Sequence, residues 1–251
     1  EFRRVLFRSF DFNIEKLSKG LEFLAIDYDH NMIHKFISYF EFLNKENNKY
    51  NLTNITDFDD FISLHVLDSL SLILPIQKYN INHQNILDIG SGNGFPGIPF
   101  QICISHSNMI LVDSVKKKAD FMQKLIKLLN LNEIEIVNDR IEDLGKDKYF
   151  RKTQNLILAR AVAKISTLIE VSLPLLEIGG YCIFHKSNLS QSEFESMNKT
   201  LRYFDAQLIE IYKVSNELIA RNHNLIIIKK NSEIDFEYPR NNNKPFRKPL
   251  F

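Results

Sequence analysis

"NILDIGSGNGFPGIPF", residues 85–100, holds four of the chain's eight glycines and two of its seven prolines. One glycine is enough to make a turn. A cluster marks backbone that must pass close to another group, because glycine has no Cβ to hold that group away. The stretch opens on the short apolar run "NILDI" and leads into the helical stretch "PGIPFQICIS". Glycines between a strand and a helix stand where doubly wound sheets bind nucleotide-type cofactors, beyond the carboxyl ends of the strands.

The flanking sequence supports that setting. Downstream, "MILVDS", "EIEIVN", "NLILAR" and "YCIFHK" are short runs rich in Ile, Leu and Val. Helical stretches separate them, among them "KKKADFMQKLIKLLN" and "AKISTLIEVSLPLLE". Strands that alternate with helices imply a parallel sheet covered on both faces. "AQLIEIYKV" and "NLIIIKK" have no helix between them and predict a closing antiparallel hairpin. The expected fold is α/β: a doubly wound, mainly parallel seven-stranded sheet with an N-terminal helical extension.

Upstream, residues 11–80 read as that extension. Ile14, Leu17, Leu21 and Leu24, then Ile33, Phe36, Ile37, Phe40 and Leu43, recur at helical intervals. The aromatics Phe36, Tyr39 and Phe40 read as core before base-stacking residues. "DFDDFISLHVLDSLSLIL" predicts a third helix, acidic at its start, where the macrodipole favours negative charge, and ended by Pro75. Residues 81–232 form the expected catalytic domain and 233–251 a basic tail. Residues 1–10 read as a leader foreign to the rest.

The chain has 251 residues, 44% hydrophobic and 25% charged, with a formal net charge of +1. That is an ordinary globular composition, and overall charge points to no polyanionic partner. No apolar run reaches membrane-spanning length. Cys103 and Cys182 sit in apolar surroundings without metal-ligand spacing. Reduced, buried thiols and a cytoplasmic location follow as expectations. No metal site is expected.

Gly90, Gly92 and Gly94 give G-x-G-x-G, and Phe95 stands where a dinucleotide fingerprint needs a small residue. Asp88 precedes the first glycine by two. This acidic-x-Gly-x-Gly-x-Gly pattern resembles the first motif of S-adenosylmethionine-dependent methyltransferases. Asp113 ends the second strand at the spacing of a ribose-binding carboxylate; it could instead cap the next helix, or leave that to Ser114. Ile141 and Glu142, after the third strand, are candidates to flank an adenine, with a solvated Glu142 as the alternative. The fourth strand ends in "LARAVAK", without the Asp/Asn-Pro-Pro-aromatic tetrapeptide of amino-methylating enzymes, and neither cysteine follows a proline as in carbon-5 pyrimidine enzymes. An acceptor that is already nucleophilic fits these absences.

Several stretches together resemble one family, the bacterial-type small-subunit ribosomal RNA guanine-N7 methyltransferases, also called glucose-inhibited division protein B. They are "NKYNLTNIT" followed by "HVLDSL", "LDIGSGNGFPGIP" with its Pro-Gly-Ile-Pro extension, "LVDSVKKKADFM", "RIEDLG", "ARAVA" and the terminal "YPRNNNKPFRKPL", in that order. The chain departs from the pattern at "HKSN", where a glycine commonly follows the lysine, and at "NNNKP" in the tail.

The resemblance implies methyl transfer from S-adenosylmethionine to N7 of one guanine in 16S ribosomal RNA, naked or in an assembling small subunit, by a monomer. N7 carries a lone pair and no proton, so alignment rather than acid–base help should carry the reaction, and orientation can supply roughly 7–11 kcal/mol. The implied cofactor residues are Asp88, Gly90, Gly92, Gly94, Phe95, Asp113, Ile141, Glu142 and Arg160, the last nearest the transfer point. No obligatory catalytic residue is expected. His65, Lys186, Arg240, Lys244, Arg247 and Lys248 are the RNA-contact candidates, with Lys116 to Lys118 adding positive surface. His65 and Asp68, three apart, should share a helix face, for RNA contact or packing. Two other functions stay open: a methyltransferase with a small-molecule acceptor, and an inactive RNA-binding relative.

Overall fold

The structure is a computed structural model and describes residues 14–50 and 52–251. The leader expected over 1–10 lies outside the described residues. Helix α1 (14–23) and α2 (His30–Tyr50) come first. They are followed by α3 (Phe58–Phe61), a π-helical turn (Ile62–Val66), α4 (Leu67–Leu70) and α5 (Ile73–Lys78). The alternating region then runs β1 (Asn85–Ile89), α6 (Gly97–Cys103), β2 (Asn108–Val112), α7 (Lys116–Leu128), β3 (Ile134–Val137), α8 (Ile141–Leu144), β4 (Gln154–Arg160), α9 (Ile165–Ser172) and β5 (Leu176–Lys186). After α10 (Gln191–Tyr203) come β6 (Ala206–Asn216), β7 (Ile219–Lys230) and the short α11 (Lys244–Arg247).

The seven strands form one sheet in the order β3-β2-β1-β4-β5-β7-β6. β1 pairs in parallel with both β2 and β4, and β7 runs antiparallel between β5 and β6. Chain direction across the sheet therefore reverses between β1 and β4, which opens a crevice at their carboxyl ends.

Alternating side chains separate two cores, because successive strand residues face opposite sides. Ile86, Leu156, Leu158, Leu225 and Ile227 pack with α1 to α7; Leu87, Ile157, Ala159, Ile226 and Ile228 pack with α9 and α10. The N-terminal helices thus share their core with the sheet. Phe36 and Tyr39 are fully buried there, and Phe40 meets Phe58 edge-on and Phe61 at a tilt, in agreement with the packing reading.

The expected third helix is instead three short pieces and a π-helical turn. Asp57 caps α3 by accepting from the Asp59 and Asp60 amides, as its acidic start predicts. Pro75 does not end a helix. It lies in the first turn of α5, where its missing N–H is one that would have no helical partner anyway.

Candidate active site

Two adjoining cavities open at the carboxyl ends of the strands. The first, about 330 Å³, is bounded by Gly90, Asp113, Ile141, Glu142, Asn243 and Phe246 among others. The second, about 400 Å³, is bounded by Asp68, Arg160, His185, Lys186, Asn222 and His223. Ala161 and Val162, just past β4, belong to both walls.

Backbone shapes the first cavity. The chain leaves β1 through Gly90, whose amide donates to Val112 O at 2.8 Å. The Gly92 amide then donates to Asp113 Oδ2 at 3.0 Å, and the Val115 amide to Asp113 Oδ1 at 2.8 Å. Asp113 therefore ties the loop after β1 to the loop after β2. Each of its oxygens still has accepting capacity toward the cavity. Neither Asp113 nor Ser114 caps α7, whose N-cap position is Val115 and has no side-chain cap.

Four of the expected cofactor residues lie back from this cavity. Asp88, Gly92, Gly94 and Phe95 are not on the cavity wall. Asp88 is fully buried beneath the loop, where its Oδ2 accepts from the Gly97 amide at 3.0 Å and anchors the start of α6. Burial pushes its carboxyl up to about 7. Gly94 faces inward: a Cβ there would lie 2.4 Å from Ile98 Cδ1 and 2.9 Å from the Tyr39 hydroxyl. Phe95 is sandwiched in the core side, stacked on Tyr39 and on His65. Glu142 is 2% exposed rather than solvated, and its Oε1 accepts from the Asn243 amide at 3.0 Å.

Side chains from distant segments build the second cavity. The π-helical turn and α4 converge on Arg160. Its Nε meets Asp68 Oδ2 at 3.1 Å, and its Nη2 donates to Leu64 O at 2.6 Å. The other Asp68 oxygen meets His223 Nδ1 at 3.0 Å, while Ser71 Oγ is 3.1 Å from His223 Nε2. Burial alone would raise the Asp68 carboxyl, but the His223 hydrogen bond and the Arg160 charge hold it well below the usual range. His185 donates from Nε2 to the Asp68 backbone carbonyl at 2.9 Å. Burial lowers its imidazole to about 4.

The RNA-contact candidates divide. His65 stacks on the Phe95 ring, with centroids 4.3 Å apart, and lies 3.4 Å from Arg160 Nη2, so it joins the glycine loop to the Arg160 cluster. His65 and Asp68 do converge, on Arg160. Lys186 pairs with Glu193 at 2.6 Å. Arg240 makes a two-pronged bond to the fully buried Glu170, at 2.8 and 2.7 Å. Lys244, Arg247 and Lys248 are exposed. The tail is docked: Pro245 is buried, its carbonyl accepts from Thr167, and Ser196 donates to the Phe251 carbonyl. Docking places Asn243 and Phe246 on the wall of the first cavity, which the basic character of the tail did not reveal. His185 and His223 were also missed, since "HKS" and "NHN" carry no spacing signal.

A family model described as rRNA small subunit methyltransferase G matches residues 32–224. The chain is 35% identical over 227 residues to the ribosomal RNA small subunit methyltransferase G of Desulfitobacterium hafniense, across 90% of this chain and 93% of that protein. It is 38% identical over 216 residues to the protein of the same name from Dictyoglomus thermophilum, across 86% of this chain and 88% of that one. Among solved structures, a SAM-dependent O-methyltransferase from Thermotoga maritima superposes with a TM-score of 0.50 at 14% identity, covering 77% of this chain and 72% of its own. TrmN from Thermus thermophilus gives 0.52 at 15% identity, covering 67% and 49%. These two likenesses concern the fold.

Proposed function

The chain belongs to the rRNA small subunit methyltransferase G family, and from that premise we propose that it methylates N7 of one guanine in 16S ribosomal RNA, using S-adenosylmethionine. The observation that carries this reading is the pair of cavities that meet at Ala161 and Val162. One has the backbone loop and carboxylate of a nucleoside site; the other has the Arg160 cluster. The first, at about 330 Å³, lies in the range of small-molecule sites, roughly 300–1,000 Å³.

Bound there, S-adenosylmethionine supplies an electrophilic methyl on a sulfonium. Asp113 would accept the ribose hydroxyls while keeping its bonds to the Gly92 and Val115 amides. Ile141 and Phe246 supply apolar wall for the adenine, and Glu142 keeps that wall in place by holding Asn243. An acceptor N7 would take that methyl through its in-plane lone pair, with the S–C electron pair left on sulfur. No proton moves in that step.

Positive charge then appears on the purine. Arg160 alone would oppose it, but Asp68 lies 3.1 Å from the guanidinium and offsets its charge. Burial keeps His185 neutral above about pH 4. The wall therefore tolerates a cationic product. The same reading makes the protein a cytoplasmic monomer that meets RNA or an assembling small subunit; no described helix is long and apolar enough to cross a membrane.

Purified protein, radiolabelled S-adenosylmethionine and small subunits from cells lacking the protein test this. Label should enter 16S RNA once per particle, at one guanine that mass spectrometry identifies as N7-methylated. Label that enters only small molecules, or no label at all, would overturn the proposal.

A further inference from the structure

Seven buried side-chain polar atoms among the described residues have no hydrogen-bond partner, and His185 Nδ1 is the one that belongs to a residue on either cavity wall. Buried polar atoms are nearly always paired, so each exception asks for an explanation. His185 is 8% exposed and ends its strand directly beside Arg160, its register partner across β4 and β5. Both side chains therefore leave the same face at the same edge of the sheet.

The tautomer of His185 follows from its one bond. A carbonyl can only accept, so Nε2, 2.9 Å from Asp68 O, carries the ring proton. The groups around the ring keep it neutral. Burial disfavours the imidazolium, and Arg160 and His223 add positive charge against the counter-effect of Asp68. Nδ1 is then a bare lone pair. It can accept a hydrogen bond and cannot donate one.

We infer that His185 selects the acceptor base in the second cavity, by accepting the N1–H of guanine at Nδ1. This rests on the proposed reading of that cavity as the acceptor site. Guanine carries N1–H beside the O6 acceptor. The Arg160 guanidinium on the same wall favours the oxygen, and the His185 lone pair favours the N–H. Adenine reverses both features: its N1 is a lone pair and its C6 substituent a donor. It would set lone pair against lone pair at His185 and leave buried groups unpaired, which discriminates more strongly than a missing contact. Asp68 connects the selection to the rest of the site, because its backbone carbonyl sets the tautomer while its carboxylate holds Arg160 and His223.

The test uses the full-length protein and small-subunit RNA carrying guanine, inosine or 2-aminopurine at the nucleotide it methylates. Inosine keeps N1–H and lacks the 2-amino group; 2-aminopurine keeps the amino group and lacks both N1–H and O6. Wild-type kcat/KM should be similar for guanine and inosine and about 100-fold lower for 2-aminopurine, which loses the contacts to His185 and Arg160 together. In His185→Leu, the preference for guanine over 2-aminopurine should shrink to what the Arg160–O6 contact alone supplies, while calorimetric affinity for the cofactor product is kept. A wild-type protein that treats guanine and 2-aminopurine alike would overturn the inference without any need for the variant to fold. So would a His185→Leu protein that keeps the wild-type ratio. In either case methyl transfer to guanine would leave the broader function standing; absence of transfer by the wild type would overturn both.

Discussion

The two cavities share Ala161 and Val162 and are built on opposite principles. The first is mostly local backbone: one loop after β1, one carboxylate after β2, one turn after β3. The second is assembled from side chains far apart in sequence, with Asp68, Arg160, His185 and His223 meeting around a single carboxylate. A site made of backbone tolerates change in side chains that do not touch the loop. A site made of a buried charged cluster depends on every member, because removing one partner leaves another charge buried without compensation.

The strongest way to break this contrast is Asp68→Ala. It removes the carboxylate that faces both Arg160 and His223 and leaves the 14%-exposed guanidinium without its counter-ion. Loss of one member of a buried pair costs about 3–5 kcal/mol. Chemical denaturation should show a loss of that size, with methyl transfer abolished. A variant as stable as the wild type would mean that the cluster is solvated in solution, and the contrast would fail.

The same contrast explains what the sequence reveals and what it hides. "ILDIGSGNGFPGIP" announces the first cavity because its geometry depends on residue types with special backbone behaviour, at fixed spacing within one segment. Asp113 is legible for the same reason, since it follows its strand. The tail and the second cavity are different. Arg240 reads as a free cation, yet its partner Glu170 is seventy residues away on a helix that looks merely apolar. Nothing local marks Phe246 as a cavity wall, or tells His185 from any polar residue at a strand end. The π-helical turn that brings Leu64 O and Asp68 to Arg160 is invisible as well, because its apolar spacing reads as a continuous helix.

The glycine loop divides its labour between packing and the cavity, and a pair of substitutions sharpens that point. A Cβ on Gly94 would overlap Ile98 and the Tyr39 hydroxyl, whereas the nearest atom to one on Gly92 is Gly90 O at 3.8 Å. Both residues have positive φ, +96° and +60°. Gly94→Ala should therefore combine backbone strain with overpacking, each on the order of 1–3 kcal/mol. Gly92→Ala should carry the strain alone and reach cofactor affinity only through the bond from its amide to Asp113. Denaturation curves together with product-binding calorimetry separate the two. Equal losses of stability would show that the loop yields at Gly94 and that its packing is not what demands glycine there.

The smallest expected effect concerns pH, where the two regions should differ in sign as well as in size. At the second cavity Asp68 is held well below the usual carboxylate range and burial lowers His185 to about 4. Beneath the first, burial raises Asp88 to about 7, against an ordinary value of 3.8, despite the bond its carboxyl accepts from the Gly97 amide. A carboxyl whose pKa is higher in the folded state stabilises the fold at pH values below its unfolded pKa. That contribution is lost as pH rises from about 4 through about 7, because the unfolded chain then gives up its proton while the buried group resists. Asp88→Asn cannot ionise and keeps an oxygen to accept from Gly97. Relative to the wild type it should gain stability between pH 5 and pH 8, by on the order of 1–3 kcal/mol. Denaturation midpoints at the two pH values measure this directly. A constant difference between the proteins would mean that Asp88 is ionised throughout, and that the tie between β1 and α6 is a charge-assisted bond rather than one made by a neutral acid.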